Sequence, residues 1–161
     1  MSKAQTISTT ASDPTVAAAA AQFLSPVVLG LQALTINGKQ AHWHVRGANF
    51  IGVHELLDTI VAHAGDFADT AAERIVALGL PIDARVSAVA AKAPDTGVPA
   101  GFAQSDEIIR TIVADIDAIL VDAKAAIDGL DEIDLTSQDV AIEIMRGLEK
   151  DRWFLVAHVA A

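Results

Sequence analysis

Four polar residues between positions 54 and 73 have the spacing of metal ligands. His54 and Asp58 are four apart, as are Asp69 and Glu73, and on a helix residues four apart share a face. At about 100° per residue, the eleven-residue step from Asp58 to Asp69 is close to three whole turns, so all four lie on one broad stripe. The two pairs cannot serve one ion within a single chain, because about 22 Å of helix rise separates their centres. A two-fold dimer with these helices antiparallel removes the difficulty. Its axis passes near position 63.5, the midpoint of 54 and 73 and of 58 and 69, and sets each His54/Asp58 pair opposite the other chain's Asp69/Glu73. Ala62 and Gly65 fall on the stripe near that crossing, where small side chains let helices approach closely. His42 stands just before a turn and can fold back towards His54. Two imidazoles with three carboxylates make a mixed nitrogen and oxygen site. With open positions it suits Fe(II), Mn(II) or Zn(II) better than Mg or Ca, and it leaves room for an oxidant.

The elements that must position these residues are helical. The chain has 161 residues, enough for one ordinary domain with a substantial core. Apolar residues make up 52% of it, much of that alanine, whereas aromatics are 4%, a balance that favours packed helices over sheets. The formal charge of -10 repels nucleic acid and attracts cations. The lack of cysteine excludes disulfides, thiolate nucleophiles, Fe–S clusters and the usual structural zinc sites, and fits a reducing compartment. The apolar stretch Val16 to Ala21 is short with no basic region before it, and no run reaches the ~18 apolar residues of a membrane span. A soluble cytoplasmic protein is the expectation.

Residues 1–12 read as a Ser/Thr-rich flexible tail, and 13–161 as one domain. Asp13-Pro14 and Ser25-Pro26 each resemble an N-cap with proline at the first helical position, so the first helix begins at one or the other and runs to about Val45. A turn at Arg46 to Asn49 follows, with Asn49 as the cap of a second helix that Gly79 and Pro81 close near Leu78. Residues 80–104 form a long crossover holding a short helix around 84–91. Ser105-Asp106-Glu107 opens a third helix closed by Gly129, and Thr136 or Ser137 caps a fourth. Short, long and short connections predict an all-α four-helix bundle with one crossover, the ferritin-like arrangement.

At the ligand residues a family resemblance becomes specific. The run Lys39-Gln40-Ala41-His42-Trp43-His44-Val45-Arg46-Gly47-Ala48-Asn49-Phe50, then Val53-His54-Glu55-Leu56-Leu57-Asp58, resembles the Dps signature, and Asp69-Thr70-Ala71-Ala72-Glu73-Arg74 matches its second half. Leu148-Glu149-Lys150-Asp151-Arg152-Trp153-Phe154 is similar to the family's last helix. The resemblance spans most of 25–158 and is weakest in the crossover. It implies a ferritin-like bundle that assembles as a hollow dodecamer and oxidises Fe(II), preferentially with hydrogen peroxide, storing ferric mineral inside. Removing iron and peroxide together suppresses hydroxyl-radical formation. The family's ferroxidase ligands carried onto this sequence are His42, His54 and Asp58, with Asp69 and Glu73 from the two-fold partner. Iron is the implied metal, with zinc or manganese as substitutes.

One family property does not carry over. Dps-like proteins that bind DNA directly resemble one another in a flexible Lys-rich tail. Here the first twelve residues hold only Lys3, and Val156 to Ala161 contain neither Lys nor Arg. Twelve chains at -10 each carry a formal -120, so direct DNA contact is not expected. Trp43 and Trp153 read as core residues, though the resemblance sets Trp43 near the iron site. His44 reads as a solvated or core histidine, with a weaker second metal site as the alternative. His63, near the proposed axis, reads as structural, and His158 as a partner for the final helix dipole. Asp131, Glu132 and Asp134 form an acidic loop that is either a solvated charge run or the lining of an iron pore. A metal-dependent amide hydrolase acting on N-acyl amino acids is the competing activity, with Glu73 or an Asp as base; some Dps-like proteins are credited with it. No acyl pocket or Ser-His-Asp pattern is visible in the sequence.

Overall fold

The computed structural model describes residues 13–93 and 96–160, so the expected tail at 1–12 lies outside the described residues. Its elements are α1 (Pro14–His44), β1 (Val45–Arg46), α2 (Phe50–Ala77), α3 (Val86–Lys92), β2 (Ala103–Gln104), α4 (Ser105–Leu130) and α5 (Leu135–Ala157). The four long helices form the expected all-α bundle with one crossover, and α3 is the short helix within it. α1 packs on α2 and α4, and α5 on α4 and α2.

α1 starts at the earlier of its two candidate caps. The Asp13 carboxylate accepts from the Thr15 amide at 2.7 Å, and Pro14 takes the first helical position, where no N–H is needed. The Ser25-Pro26 doublet therefore lies inside the helix. Proline there costs about 3 kcal/mol in lost bonding and steric clash. Around it, Leu24, Val27, Val28 and Leu31 are buried, and that apolar face carries the helix through. An 18-residue window of α1 has mean hydropathy 1.5, long and apolar enough by composition to cross a membrane. This corrects the expectation that no run would qualify. Its apolar face is instead the centre of the bundle core, with α2 and α4 laid on it.

On α2 the buried residues Val53, Leu57, Ile60, Ala64, Ala68, Ala71 and Ile75 recur every three or four positions and face the core. The opposite arc, which holds Asp58, Ala62 and Asp69, is open. Gly79, at φ 95°, closes α2 in the left-handed region that favours glycine. Asn49 holds the N-cap position of α2 as expected but without a side-chain bond, and two other expected boundaries shift. Asn49 is itself left-handed, at φ 56°, and Val53 donates to its backbone carbonyl instead. Gly129 lies inside α4, which ends at Leu130. A Cβ at 129 would overlap the Phe23 ring, so that glycine serves close packing of α1 on α4. Thr136 and Ser137 lie in the first turn of α5, because Asp134 holds the capping position.

A small parallel ladder joins the crossover to the turn beside the ligands. Val45 pairs with Ala103 and Arg46 with Gln104. The Arg46 guanidinium sits 3.1 Å from the Phe102 ring centroid, and the Ser105 hydroxyl donates to the Ala48 carbonyl at 2.7 Å.

Candidate metal centre

The end of α1 and the start of α2 bring His42 and His54 face to face, with ring centroids 3.7 Å apart and planes inclined by 21°. Each ring is held by the other's backbone: His42 Nδ1 is 2.8 Å from the His54 carbonyl, and His54 Nδ1 is 2.9 Å from the His42 carbonyl. A carbonyl only accepts, so both Nδ1 atoms carry the proton. In the neutral rings both Nε2 atoms are then left with lone pairs, the state a metal requires. Phe50, 5.2 Å from the His54 ring, covers one side.

Asp58, one turn beyond His54, is exposed and lies with an oxygen 4.0 Å from His42 Nδ1. Its partner is Lys39 on α1, whose ammonium hydrogen-bonds the same carboxylate. That bond is the main reason the Asp58 carboxyl lies below its ordinary range; burial opposes it, and the neighbouring imidazoles assist. Sequence reasoning gave Lys39 no role, although its place one turn before His42 is the signal that could have revealed it.

Asp69 and Glu73 stand exposed further along α2, on the stripe the spacing predicts but away from the histidines. Within one chain the structure thus brings His42, His54 and Asp58 to one place and leaves Asp69 and Glu73 at another. Among the described residues no group of three or more His, Asp or Glu side chains is arranged to hold an ion within the chain. Nothing lies within 4 Å of a Cβ built on Gly65, and Ala62 is exposed, so the middle of the stripe is open.

The other singled-out residues have local partners. His44 Nδ1 bonds the Gln40 carbonyl at 2.8 Å, and its ring lies near Phe102. His158 is the C-cap of α5. Asp134 is tied to Arg74 at 2.8 Å and to Ser137, so this part of the acidic loop is a helix-to-helix clamp. Burial would raise the Asp134 carboxyl, but those bonds outweigh it and hold it below its ordinary range. Trp43 and Trp153 are 63% and 65% exposed, which corrects their reading as core residues. Both lie on helix faces turned away from the bundle centre. A cleft of about 330 Å³ lies between α1, α3 and α4, lined in part by Asn37, Lys92 and Asp115 and by none of the five candidate ligands.

Comparison with known proteins decides the family. The ferritin-like domain family matches residues 30–161. A solved structure of Dps from Microbacterium arborescens, in its high-iron form, superposes with a TM-score of 0.92 at 72% identity, over 96% of this chain and all of that one. The chain belongs to the Dps family. Among curated relatives, the DNA protection during starvation protein of Agrobacterium fabrum is 35% identical over 127 residues, 78% of each chain. Dps from Mycobacterium smegmatis, at 27% identity, superposes with a TM-score of 0.87 over 98% of this chain and 96% of its own. Membership of the Dps family implies iron binding, with iron storage and ferroxidase protection as the class of function, and is consistent with a homo-oligomer.

Proposed function

We propose that two chains related by a two-fold axis form a pair of ferroxidase centres, each built from His42, His54 and Asp58 of one chain with Asp69 and Glu73 of the partner subunit. The observation that carries this reading is the reciprocal bonding of the two imidazoles through Nδ1, which fixes both rings and leaves each Nε2 free, with Asp58 one turn away on α2. Iron(II) is the substrate. The Nε2 lone pairs and carboxylates bind it, and the hard carboxylate oxygens favour Fe(III), which drives electron loss. Hydrogen peroxide is the preferred oxidant. Each peroxide accepts one electron from each of two Fe(II) ions together with two protons, and leaves as two waters. The ferric product is stored as mineral inside a hollow dodecamer in the cytoplasm. Zinc or manganese can substitute for iron at the same ligands. Direct DNA binding has no part in this reading, since the negative charge opposes it.

The test is anaerobic Fe(II) titration of the purified metal-free protein followed by peroxide, with absorbance and particle mass recorded. Rapid oxidation at no more than two Fe(II) per site and a large soluble mineralised particle are expected. A His54→Ala, Asp58→Ala variant should lose more than the about 10- to 100-fold that removal of outer-sphere partners costs. Binding without oxidation, or cleavage of an N-acyl amino acid amide with no oxidant consumed, would overturn the reading in favour of a hydrolase.

A further inference from the structure

On the side of α2 turned about 180° from His54, nine residues further on, a second imidazole is held in a different way. His63 Nδ1 lies 3.0 Å from each oxygen of Asp151 on α5. Asp151 is 1% exposed and falls within an otherwise apolar row, Ala141, Ile144, Leu148 and Leu155. A carboxylate there is costly to bury unless bonded, and packing alone would be served by a hydrocarbon. Burial raises the Asp151 carboxyl above its ordinary range and the His63 bond opposes this; when ionised the carboxylate only accepts, so Nδ1 then carries the proton and Nε2 is the free nitrogen. The His63 side chain is 43% exposed, and its Nε2 makes no hydrogen bond among the described residues.

A buried carboxylate behind an outward-facing imidazole fixes the ring and its tautomer and so improves Nε2 as a ligand. One turn further along α2 is Asp66, exposed and in no ion pair among the described residues. Residues three apart on a helix have β-carbons about 5–6 Å apart, close enough for both side chains to reach one ion. We propose that His63 and Asp66 form a second cation site, oriented by Asp151, that takes a borderline divalent cation such as Zn(II) with water completing its shell. One nitrogen and one carboxylate oxygen select such an ion over Mg or Ca, and the acidic chain concentrates cations around it. The site is independent of the two-fold ferroxidase reading, since both ligands and the orienting carboxylate come from one chain.

Calorimetric titration of Zn(II) into the assembled protein carrying His54→Ala and Asp58→Ala tests this with two of the five proposed ferroxidase ligands removed. One Zn(II) per chain should disappear when His63→Gln is added, and Asp66→Asn should weaken it. Asp151→Asn keeps an acceptor for Nδ1 but loses its charge, and should weaken binding about 10- to 100-fold. Asp66→Asn changes only an exposed side chain, so the outcome does not depend on whether the Asp151 variant folds. Zn(II) should also protect His63 from acylation by diethyl pyrocarbonate. Superimposable Zn(II) isotherms with and without His63→Gln, or unchanged acylation of His63 in the presence of Zn(II), would overturn the proposal.

Discussion

Asp115 on α4 shows how the surroundings of a single carboxyl set its effect on stability. It borders the cleft below α3, and its one bond is a long 3.5 Å contact from Asn37. Burial raises its pKa, and the Asn37 contact only partly offsets this. The folded chain therefore holds this proton more tightly than the unfolded chain does. The resulting stabilisation is full in acid, below the ordinary aspartate range, and is lost as pH rises through the raised value. At neutral pH Asp115→Asn should raise the melting temperature, by a gain under about 1 kcal/mol once partial exposure is discounted. The gain should shrink as the melts are repeated towards pH 3. Equal gains at both pH values would show that the charge is not the cause. Asp134 has the opposite sign: its lowered pKa stabilises the fold above the ordinary aspartate range and ceases to do so in strong acid.

Among the elements, α1 and α4 approach closely where Gly129 meets the Phe23 ring. In an exposed helix interior Gly→Ala would gain about 1 kcal/mol of propensity. Here the added methyl has no space, and Phe23 is packed against the core. Gly129→Ala should therefore lower stability by about 1–2 kcal/mol in chemical denaturation, and a stabilised variant would show that Phe23 moves aside freely. The same residue explains why some boundaries were illegible. A glycine before a polar loop looks the same in sequence whether it ends a helix or admits a ring from another one. Asp13 and Ser25 were equally good caps by local rules, and the choice between them rests on Leu24, Val27 and Val28 being buried together, a tertiary fact. The pairing of His42 with His54 was legible because it needs only a turn of known length and helical periodicity. The Asp151 partner of His63 was not, although a lone acid among Ile144, Leu148 and Leu155 was its signal.

At the scale of the whole molecule, the proposed pairing of the two halves of the α2 stripe would make the function a property of the assembly. Consider one chain carrying His54→Ala and Asp58→Ala, and another carrying Asp69→Ala and Glu73→Ala. Neither alone forms an intact centre. In a mixed dimer one centre collects every defect, whereas the other has all its ligands. Random co-assembly from an equal mixture should restore about a quarter of wild-type ferroxidase activity per chain, because half the dimers are mixed and each has one working centre of two. No recovery after verified subunit mixing would mean that the halves do not meet across a two-fold axis. The imidazole pair also bears on the order in which the chain assembles. His42 and His54 are only 12 residues apart, whereas the bond from Ser105 to Ala48 spans 57. Loop-closure entropy rises with that separation, and local contacts are the quickest to form. The nitrogen half of the centre can thus be in place as soon as α1 and α2 close as a hairpin, before the crossover has folded down over their turn.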